Sequence, residues 1–435
     1  MLSRFVLGSI MLAGAIAVGS FTPATKVTNA DDHIRRFDFG SGKVEPGCSA
    51  AGPATIYGKG SSYGFEPGSK IEAVDRGGDD AFRGDFCTSD RPFFFSVDLP
   101  EGCYDVSVTL GDRAGESDTT VKAESRRLML EHVHTKTNEI VKRTFTVNIR
   151  NDRIGAIDRV RLKARESGVL HWDDKLTLEF NGDRPCVCGV EIARRGDCIV
   201  VYLAGDSTVT DQPREPWNSW GQMLPRFFQR GVAVANHAES GETLRSFIGE
   251  KRLDKILGSI KKGDYLFIQF GHNDQKERGE GAGAFTTYKQ SLKRLIAEAK
   301  KRGAIPVLVT PINRRTFDSA GKVTNSLGDY PDAVRQTATE ENVALIDLNA
   351  MSKTLYEALG VDESKRAFVD NTHHNAYGSY ESARCIVEGI RANRLDLARF
   401  IVDDVPSFDP AKPDAVASIR IPPSPERTNR KPEGD

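Results

Sequence analysis

The chain has 435 residues, with 60 Lys and Arg residues against 61 Asp and Glu residues, so its formal net charge at pH 7 is −1. At about 150 residues per domain, this length predicts two or three domains, each large enough to bury a core. A balanced charge without long runs of Lys or Arg provides no basic field for a polyphosphate backbone, which argues against nucleic acid as a partner.

The first segment in chain order is an apolar stretch, residues 5–18, that follows Arg4 and precedes a polar segment ending at Ala30. This pattern predicts a secretory signal peptide over residues 1–30. The stretch is short and rich in Gly and Ala for a membrane anchor, and no later run approaches ~20 apolar residues. We therefore expect a secreted or periplasmic protein with no membrane association after cleavage, and an uncleaved anchor is the alternative.

Residues 31–195 contain short apolar runs that alternate or are rich in β-formers, separated by Gly, Pro, Asp and Asn. The runs occupy residues 37–39, 93–99, 104–110, 128–134, 141–147 and 176–180. No long segment with helical periodicity interrupts them, so this region is predicted to be an all-β sandwich. Such a domain offers loops and an edge for recognition, but the sequence places no obvious catalytic group in it.

The cysteines predict no metal site. Most of them lie in the β-rich half or at its boundary, where an oxidising compartment would permit bridges: Cys48, Cys87, Cys103, Cys186, Cys188 and Cys198. The odd count of seven leaves at least one thiol free, and Cys385 is predicted to be a small buried side chain in a helix. No pair has the spacing of a zinc site, so no structural metal is expected.

Strands and helices alternate over residues 196–402. Buried strands are predicted at residues 198–203, 232–236, 265–270, 305–309 and 344–348, and helices at 220–228, 285–302, 331–342 and up to about 393. Continuous apolar strands alternating with helices indicate a parallel sheet covered on both faces, with its chemistry beyond the strand C-termini. Residues 403–435 are Pro-rich and charged, and are predicted to be a disordered tail.

Polar residues follow the predicted strands of this half. Ser207 follows the first strand, Gly241 the second and Asn273 the third, while Asp370 and His373 follow a short apolar segment late in the chain. An Asp three residues before a His can hold one imidazole nitrogen and leave the other to deprotonate a serine. An amide and a backbone N–H beside a glycine can stabilise an oxyanion. Together these residues predict a serine hydrolase.

Each residue alone has a structural alternative, such as a helix N-cap for the serine or a turn for the Asn. The spacing favours His373 over His374 as the base, and His374 either bonds elsewhere or contacts substrate. Trp217 is a candidate for stacking on a sugar, while Trp220 is at least as well explained as a core residue. His272 is expected to orient a loop, because adjacent side chains on an extended chain point in opposite directions.

The segments GDST, NHAESGET, GHND and DNTHHNAYG resemble the four blocks of the SGNH (GDSL-type) hydrolases, and the last two are similar to the rhamnogalacturonan acetylesterase branch. The resemblance spans about residues 197–400, and the β-rich half is similar to a galactose-binding-like domain. It implies a flavodoxin-like α/β/α fold in which Ser207 is the nucleophile, His373 the base and Asp370 its partner. It also implies an oxyanion hole formed by the Ser207 N–H, Gly241 and Asn273. Glu242 stands where branch members often carry an Arg, a departure that bears on the substrate more than on the chemistry.

The resulting expectation is a secreted serine esterase that removes O-acetyl groups from a plant or algal cell-wall polysaccharide, in the first place rhamnogalacturonan. It needs no metal or organic cofactor. The alternatives are a deacetylase of another glycan such as xylan, a broad GDSL esterase or lipase, and, from another class, a non-catalytic carbohydrate-binding protein. The charged segments KERGEGAG and NRRTFDSAGK argue against an apolar lipase lid. The β-domain is expected to act as a tether to polymeric substrates.

Overall fold

The computed structural model describes Met1, residues 34–58 and residues 60–434. The predicted signal peptide, beyond Met1, therefore lies outside the described residues. Within the described ranges, no helix combines the length and the apolar character that a membrane crossing requires.

The first half of the chain is a β-sandwich. Its strands β1 to β14, in chain order, are Ile34–Phe39, Ser49–Ala51, Tyr63–Phe65, Glu72–Asp75, Asp85–Thr88, Phe93–Asp98, Gly102–Asp112, Ser117–Ala123, Arg127–Thr135, Glu139–Ile149, Arg153–Ile154, Asp158–Arg159, Lys175–Arg184 and Cys186–Arg194, with a short helix α1 at Ala81–Gly84. One sheet has the order β10-β7-β14-β1-β2, with β5 and β4 added at β14, and the facing sheet has the order β3-β6-β13-β8-β9. Alternate residues of β6, Phe93, Phe95 and Val97, are fully buried between the sheets.

The second half is a three-layer α/β domain. Its strands β15 to β19 are Ile199–Gly205, Val232–Asn236, Tyr265–Gln269, Ile305–Val309 and Ala344–Ile346, and its helices α2 to α8 are Trp220–Met223, Leu244–Gly249, Arg252–Leu257, Lys289–Lys301, Tyr330–Glu341, Leu348–Glu363 and Ala376–Ala392. The strands pair in parallel in the order β16-β15-β17-β18-β19. This flavodoxin-like order places the strand C-termini along one edge, and the predicted fold class is confirmed.

Both faces of the parallel sheet are covered, as its continuous apolar strands predict. Val201 and Leu203 of β15 pack with α2, α7 and α8, whereas Tyr202 and Ala204 point to the other face and pack with α5 and α6. Because successive side chains of a strand alternate, each face receives its own apolar set.

Some local predictions in this half differ from the structure. The helix predicted at residues 220–228 is α2 followed by a 3₁₀ turn, Leu224–Phe227, that contains Pro225. The segment before Asp370 is not a strand of the sheet: it is a 3₁₀ turn, Ser364–Ala367, and a single bridge between Phe368 and His374. Helices α3, α4 and α7 were not predicted from the sequence.

The cysteines do not form bridges in the structure. All seven are free thiols, and Cys385 is fully buried in α8 as predicted. Cys103 and Cys198 lie in the same apolar cluster at the junction of the two domains.

The two domains share a buried, charged interface. Arg127, at the start of β9, places Nε 2.7 Å from Asp211 Oδ2, and both side chains are 1% exposed. The neighbouring Arg126 donates to the backbone carbonyls of Gln212 and Trp217. The β-domain is thus packed against the loop that follows β15.

The tail predicted to be disordered, residues 403–435, instead packs along both domains over its described part, residues 403–434. Lys122 Nζ of the β-domain donates to Pro422 O (2.7 Å) and Ser424 Oγ (2.8 Å). Glu215 exchanges backbone hydrogen bonds with Glu426 and Thr428. The Pro-rich, charged composition of this segment shows only that it can bury little apolar surface within itself. Here the two folded domains supply polar partners that the tail sequence does not reveal.

Candidate active site

Ser207 lies in a tight turn at the C-terminal end of β15. Asp206 holds this turn, because its Oδ1 accepts hydrogen bonds from the N–H (3.0 Å) and hydroxyl (2.8 Å) of Thr208. On the other side, His272 Nδ1 lies 3.3 Å from Asp206 Oδ2. His272 therefore orients the loop of the serine, the role that its position after β17 predicted.

Ser207, His373 and Asp370 form a continuous hydrogen-bonded chain. His373 Nε2 lies 2.9 Å from Ser207 Oγ, and His373 Nδ1 lies 2.9 Å from Asp370 Oδ2. Asp370 Oδ1 accepts the backbone N–H groups of Thr372 and His373, at 2.7 and 2.6 Å. This geometry suits a neutral imidazole that keeps its proton on Nδ1 and accepts the serine proton at Nε2.

The Asp370 carboxylate is held in its charged form. Burial acts to raise its pKa, but the hydrogen bonds from His373 and the two backbone N–H groups outweigh burial, so the pKa lies well below its ordinary value. An ionised Asp370 can stabilise the imidazolium that forms when His373 takes a proton.

Gly241 and Asn273 come together beside the serine turn. Gln212 Nε2 lies 2.8 Å from Ser207 O and 3.4 Å from Ser240 Oγ, so it ties the serine turn to the loop that carries Gly241. Asn273 Nδ2 donates one N–H to Glu242 O at 3.0 Å, which leaves the second N–H of the amide for an oxyanion. Gly241 adopts φ +80°, a conformation that favours glycine.

His374 faces the interior of the domain and does not line the cleft. The expectation that it contacts substrate is therefore wrong. Its Nε2 lies 2.8 Å from the Tyr356 hydroxyl, and its ring lies 4.3 Å from the Phe368 ring. Burial and the neighbouring His373 lower the pKa of His374 to about 3, so the ring is neutral at physiological pH. Both histidines of the tandem pair are buried, but His373 bonds to Ser207 and Asp370 whereas His374 packs inside the domain.

The two tryptophans after the serine turn have different surroundings. Trp217 lies with its ring perpendicular to that of His373, 5.6 Å between centroids, and its buried indole N–H has no hydrogen-bond partner among the described residues. Trp220 is a core residue whose Nε1 donates to Gln269 Oε1 at 2.9 Å. Only Trp217 is therefore placed to meet a substrate.

A cleft of about 710 Å³, including its open mouth, lies next to Trp217 between the two domains. The β-domain contributes Arg165 and the catalytic half contributes Arg214, Trp217 and Ser240, while Thr428 and tail residues 430–433 line the same space. The motifs did not indicate Arg165 or the tail, because neither belongs to a recognisable pattern. Within the described residues, no cluster of His, Cys, Asp and Glu could hold a metal ion.

Glu242, the departure from the expected Arg, is fully buried and paired. It contacts Lys163 of the β-domain, and its Oε1 lies 3.7 Å from Arg252 Nε. The β-domain thus supplies a cation, Lys163, next to the loop of Gly241. The negative charge of Glu242 is therefore not left unpaired.

Comparisons with known proteins show which proteins the chain resembles. Residues 203–379 match the GDSL-like Lipase/Acylhydrolase family model. Rhamnogalacturonan acetylesterase RhgT of Bacillus subtilis (strain 168) is 44% identical over 221 residues, which cover 47% of this chain and 94% of that protein. The chain belongs to the GDSL-like lipase/acylhydrolase family. As a member of this family it is a carboxylic ester hydrolase, and the resemblance inferred from the four motifs is confirmed.

The β-rich half of this GDSL-like hydrolase also has relatives. Residues 35–154 match the model described as Beta-agarase/YXIM esterase-like, galactose-binding domain-like. The uncharacterized esterase YxiM of Bacillus subtilis (strain 168) is 29% identical over 384 residues, which cover 84% of this chain and 92% of YxiM. The crystal structure of YxiM aligns with 84% of this chain and 99% of its own, at 26% identity and a TM-score of 0.45.

Proposed function

We propose that this GDSL-like hydrolase is an exported serine acetylesterase that removes O-acetyl groups from rhamnogalacturonan. The observation that carries the proposal is the chain of 2.9 Å contacts from Ser207 through His373 to Asp370. The substrate is supported by the relative RhgT, whose name describes a rhamnogalacturonan acetylesterase. The galactose-binding-like half supports a carbohydrate as the substrate class.

In the proposed mechanism, His373 Nε2 accepts the Ser207 proton while Ser207 Oγ attacks the acetyl carbonyl carbon. The oxyanion accepts hydrogen bonds from the N–H groups of Ser207 and Gly241 and from the Asn273 amide. The tetrahedral intermediate collapses, and His373 returns its proton to the departing sugar oxygen. Water, deprotonated by His373, then hydrolyses the acetyl-enzyme to acetate and free Ser207.

The walls of the cleft favour a sugar over a long acyl chain. They carry Arg165, Asp211, Arg214 and Glu239, all charged or polar groups, whereas a lipid site would present a continuous apolar surface. Trp217 adds an aromatic face and an indole N–H without a described partner, which can donate to a sugar hydroxyl.

Export is part of the proposal and is supported by the apolar residues 5–18 after Arg4. The exported protein is expected to begin after residue 17 or nearer residue 30. N-terminal sequencing of the protein recovered outside the cytoplasm of a producing cell measures this. A protein that retains Met1 and stays in the cytoplasm contradicts export.

Substrate and chemistry are tested together by acetate release from acetylated rhamnogalacturonan, xylan and chitin, with Ser207→Ala as the inactive variant. The parent is expected to have its highest kcat/KM on rhamnogalacturonan, and Ser207→Ala is expected to lose at least ~10⁴-fold in kcat because the nucleophile is absent. Circular dichroism checks that the variant is folded. Substantial activity in folded Ser207→Ala would disprove the assignment of the nucleophile.

A further inference from the structure

Two arginines of the cleft hold carboxylates of the chain's own tail. Arg165 Nη1 contacts a carboxylate oxygen of Glu433, and Arg214 Nε lies 3.2 Å from Glu426 Oε2. Both arginines line the cleft beside the serine turn, and one comes from each domain. The cleft therefore accepts carboxylate groups at two positions.

Arg165 is held in place by the loop that carries Gly241. Its Nε lies 2.9 Å from Glu239 Oε1, and its Nη2 donates to the Ser240 carbonyl. These bonds fix one edge of the planar guanidinium, so that Nη1 is presented to the cleft, where Glu433 meets it. A carboxylate bound at Nη1 lies next to the proposed oxyanion hole.

The other carboxylates of the cleft wall do not cancel the positive charge of Arg165 and Arg214. Asp211 is paired with Arg127, and Glu166 is paired with the buried Arg252. Burial and the neighbouring Glu166 raise the pKa of Glu239, which weakens the negative charge that Glu239 sets against Arg165. The cleft thus retains an attraction for an incoming anion.

The tail closes over the site through polar contacts, which include Lys431 Nζ, 3.5 Å from Asp370 Oδ2, and the Gly434 carbonyl, which accepts from Lys276 Nζ. Gly434 packs against Gly241, because a Cβ atom placed on Gly434 would lie 2.8 Å from Gly241 Cα. Ser207 is 2% exposed. The two carboxylates that meet Arg165 and Arg214 are open to solvent, 50% exposed for Glu433 and 70% for Glu426. Exposed ion pairs contribute little to stability, so a competing carboxylate can displace them.

We propose that Arg165 and Arg214 form a binding site for the uronic-acid carboxylates of the glycan substrate, and that Glu433 and Glu426 occupy this site in the free enzyme. The inference rests on the proposed function and extends it by naming the residues that recognise the charge of the glycan. It also explains how the β-domain takes part in substrate selection, since Arg165 belongs to that half.

The test compares two oligosaccharides, an acetylated rhamnogalacturonan fragment and the same fragment with its carboxyl groups reduced to alcohols. The measured quantity is the ratio of kcat/KM on the charged fragment to kcat/KM on the reduced one. Arg165→Gln and Arg214→Gln are compared with Arg161→Gln, the matched control, which removes the same charge from an exposed position of the Arg165 segment. Each is made in the full chain and in a chain ending at Pro425, which keeps the contacts of Pro422 and Ser424 with Lys122.

The ratio is expected to fall about tenfold in Arg165→Gln, because the charge-assisted contact of Nη1 with the carboxylate is lost, and a few-fold in the more exposed Arg214→Gln. Arg161→Gln is expected to keep the parental ratio, and truncation at Pro425 is expected to lower KM. Arg214 is exposed and its variant is expected to fold, so the test stands even if Arg165→Gln is unstable.

Two negative outcomes are distinguishable. Acetate release with an unchanged ratio in both truncated variants overturns the carboxylate site alone. Hydrolysis of a small chromogenic ester without acetate release from either fragment overturns the proposed glycan substrate, and the carboxylate site with it.

Discussion

Asn273 and His272 are adjacent residues to which the structure gives different tasks. His272 faces Asp206, one residue before the nucleophile, whereas Asn273 meets the loop of Gly241 through Glu242 O. A side chain that acts on the oxyanion acts in the transition state, while a side chain that holds a turn acts through its neighbours. Kinetic constants can separate the two roles.

Asn273→Ala is expected to lower kcat by about 10²- to 10³-fold with a smaller change in KM, because one oxyanion donor is removed. His272→Ala is expected to have a milder effect on kcat and to lower the free energy of unfolding, since it leaves the buried Asp206 carboxylate without its imidazole partner. Steady-state kinetics and chemical denaturation of both variants provide the comparison. The reverse ranking in kcat would exchange the two roles.

The sequence motifs identified the individual residues that the structure brings together. They could do so because the loops after parallel strands all lie at one edge of the sheet. Ser207, Gly241 and Asn273 follow directly from that rule. Asp370 and His373 reach the same place from a 3₁₀ turn and a bridge, which the sequence did not distinguish from a strand. Arg165 could not be predicted, because its proximity depends on how two domains pack.

At the scale of elements, the turn between β8 and β9 carries a buried carboxyl group. Glu124 adopts φ +56° in this turn, and its Oε1 accepts the Thr177 N–H at 3.1 Å. Its Oε2 is buried without a hydrogen-bond partner in the described part of the chain. Burial raises the pKa of Glu124 to about 8, against the opposing effect of Arg127.

Glu124→Gln is expected to make the stability of the protein less sensitive to pH between about 5 and 8. In this window the folded state keeps the Glu124 proton while the unfolded state, with a pKa near 4.3, has lost it, so parental stability falls as pH rises. The neutral amide removes this contribution. Thermal unfolding of both proteins at pH 5 and pH 8 measures the effect, and equal losses of Tm would contradict the raised pKa.

The start of β9 and the loop after β15 are joined by the Arg127–Asp211 ion pair. Arg127→Ala is expected to destabilise the protein by about 3–5 kcal/mol, because it leaves a buried carboxylate unpaired. The double variant Arg127→Ala with Asp211→Asn is expected to recover part of this loss, since the uncompensated charge is gone. Urea denaturation of the parent, both single variants and the double variant measures the coupling, and additive effects would show that the pair is not linked.

Across the whole molecule, the expectation of a β-domain that only tethers polymers conflicts with the observed interface. Arg126, Arg127 and Arg165 reach from the β-domain to the loops that surround Ser207. The sequence predicted both folds from their apolar periodicities, but periodicity reports burial within a domain. It contains no information on the polar contacts that one domain makes with another.

A fragment that begins at Gly196 is therefore expected to lose activity on a small acetyl ester as well as on acetylated polysaccharide. Without the β-domain, Asp211 loses its arginine and the loop of Gly241 loses Arg165, so the oxyanion hole is no longer held. Activity on both substrates and the Tm of the fragment provide the measurement. Full turnover on the small ester would restore the tethering interpretation.

The tail that lies over Gly241 and Asn273 is attached to the enzyme that it covers. Its local concentration is set by the length of chain between the backbone contact of Thr428 with Glu215 and the cleft, and not by the concentration of enzyme. Dilution cannot remove such a competitor. If only a fraction of the molecules has an open cleft at any moment, the apparent dissociation constant of every substrate is its intrinsic dissociation constant divided by that fraction, while kcat is unchanged. The chain itself then sets the substrate concentration at which the enzyme is half saturated.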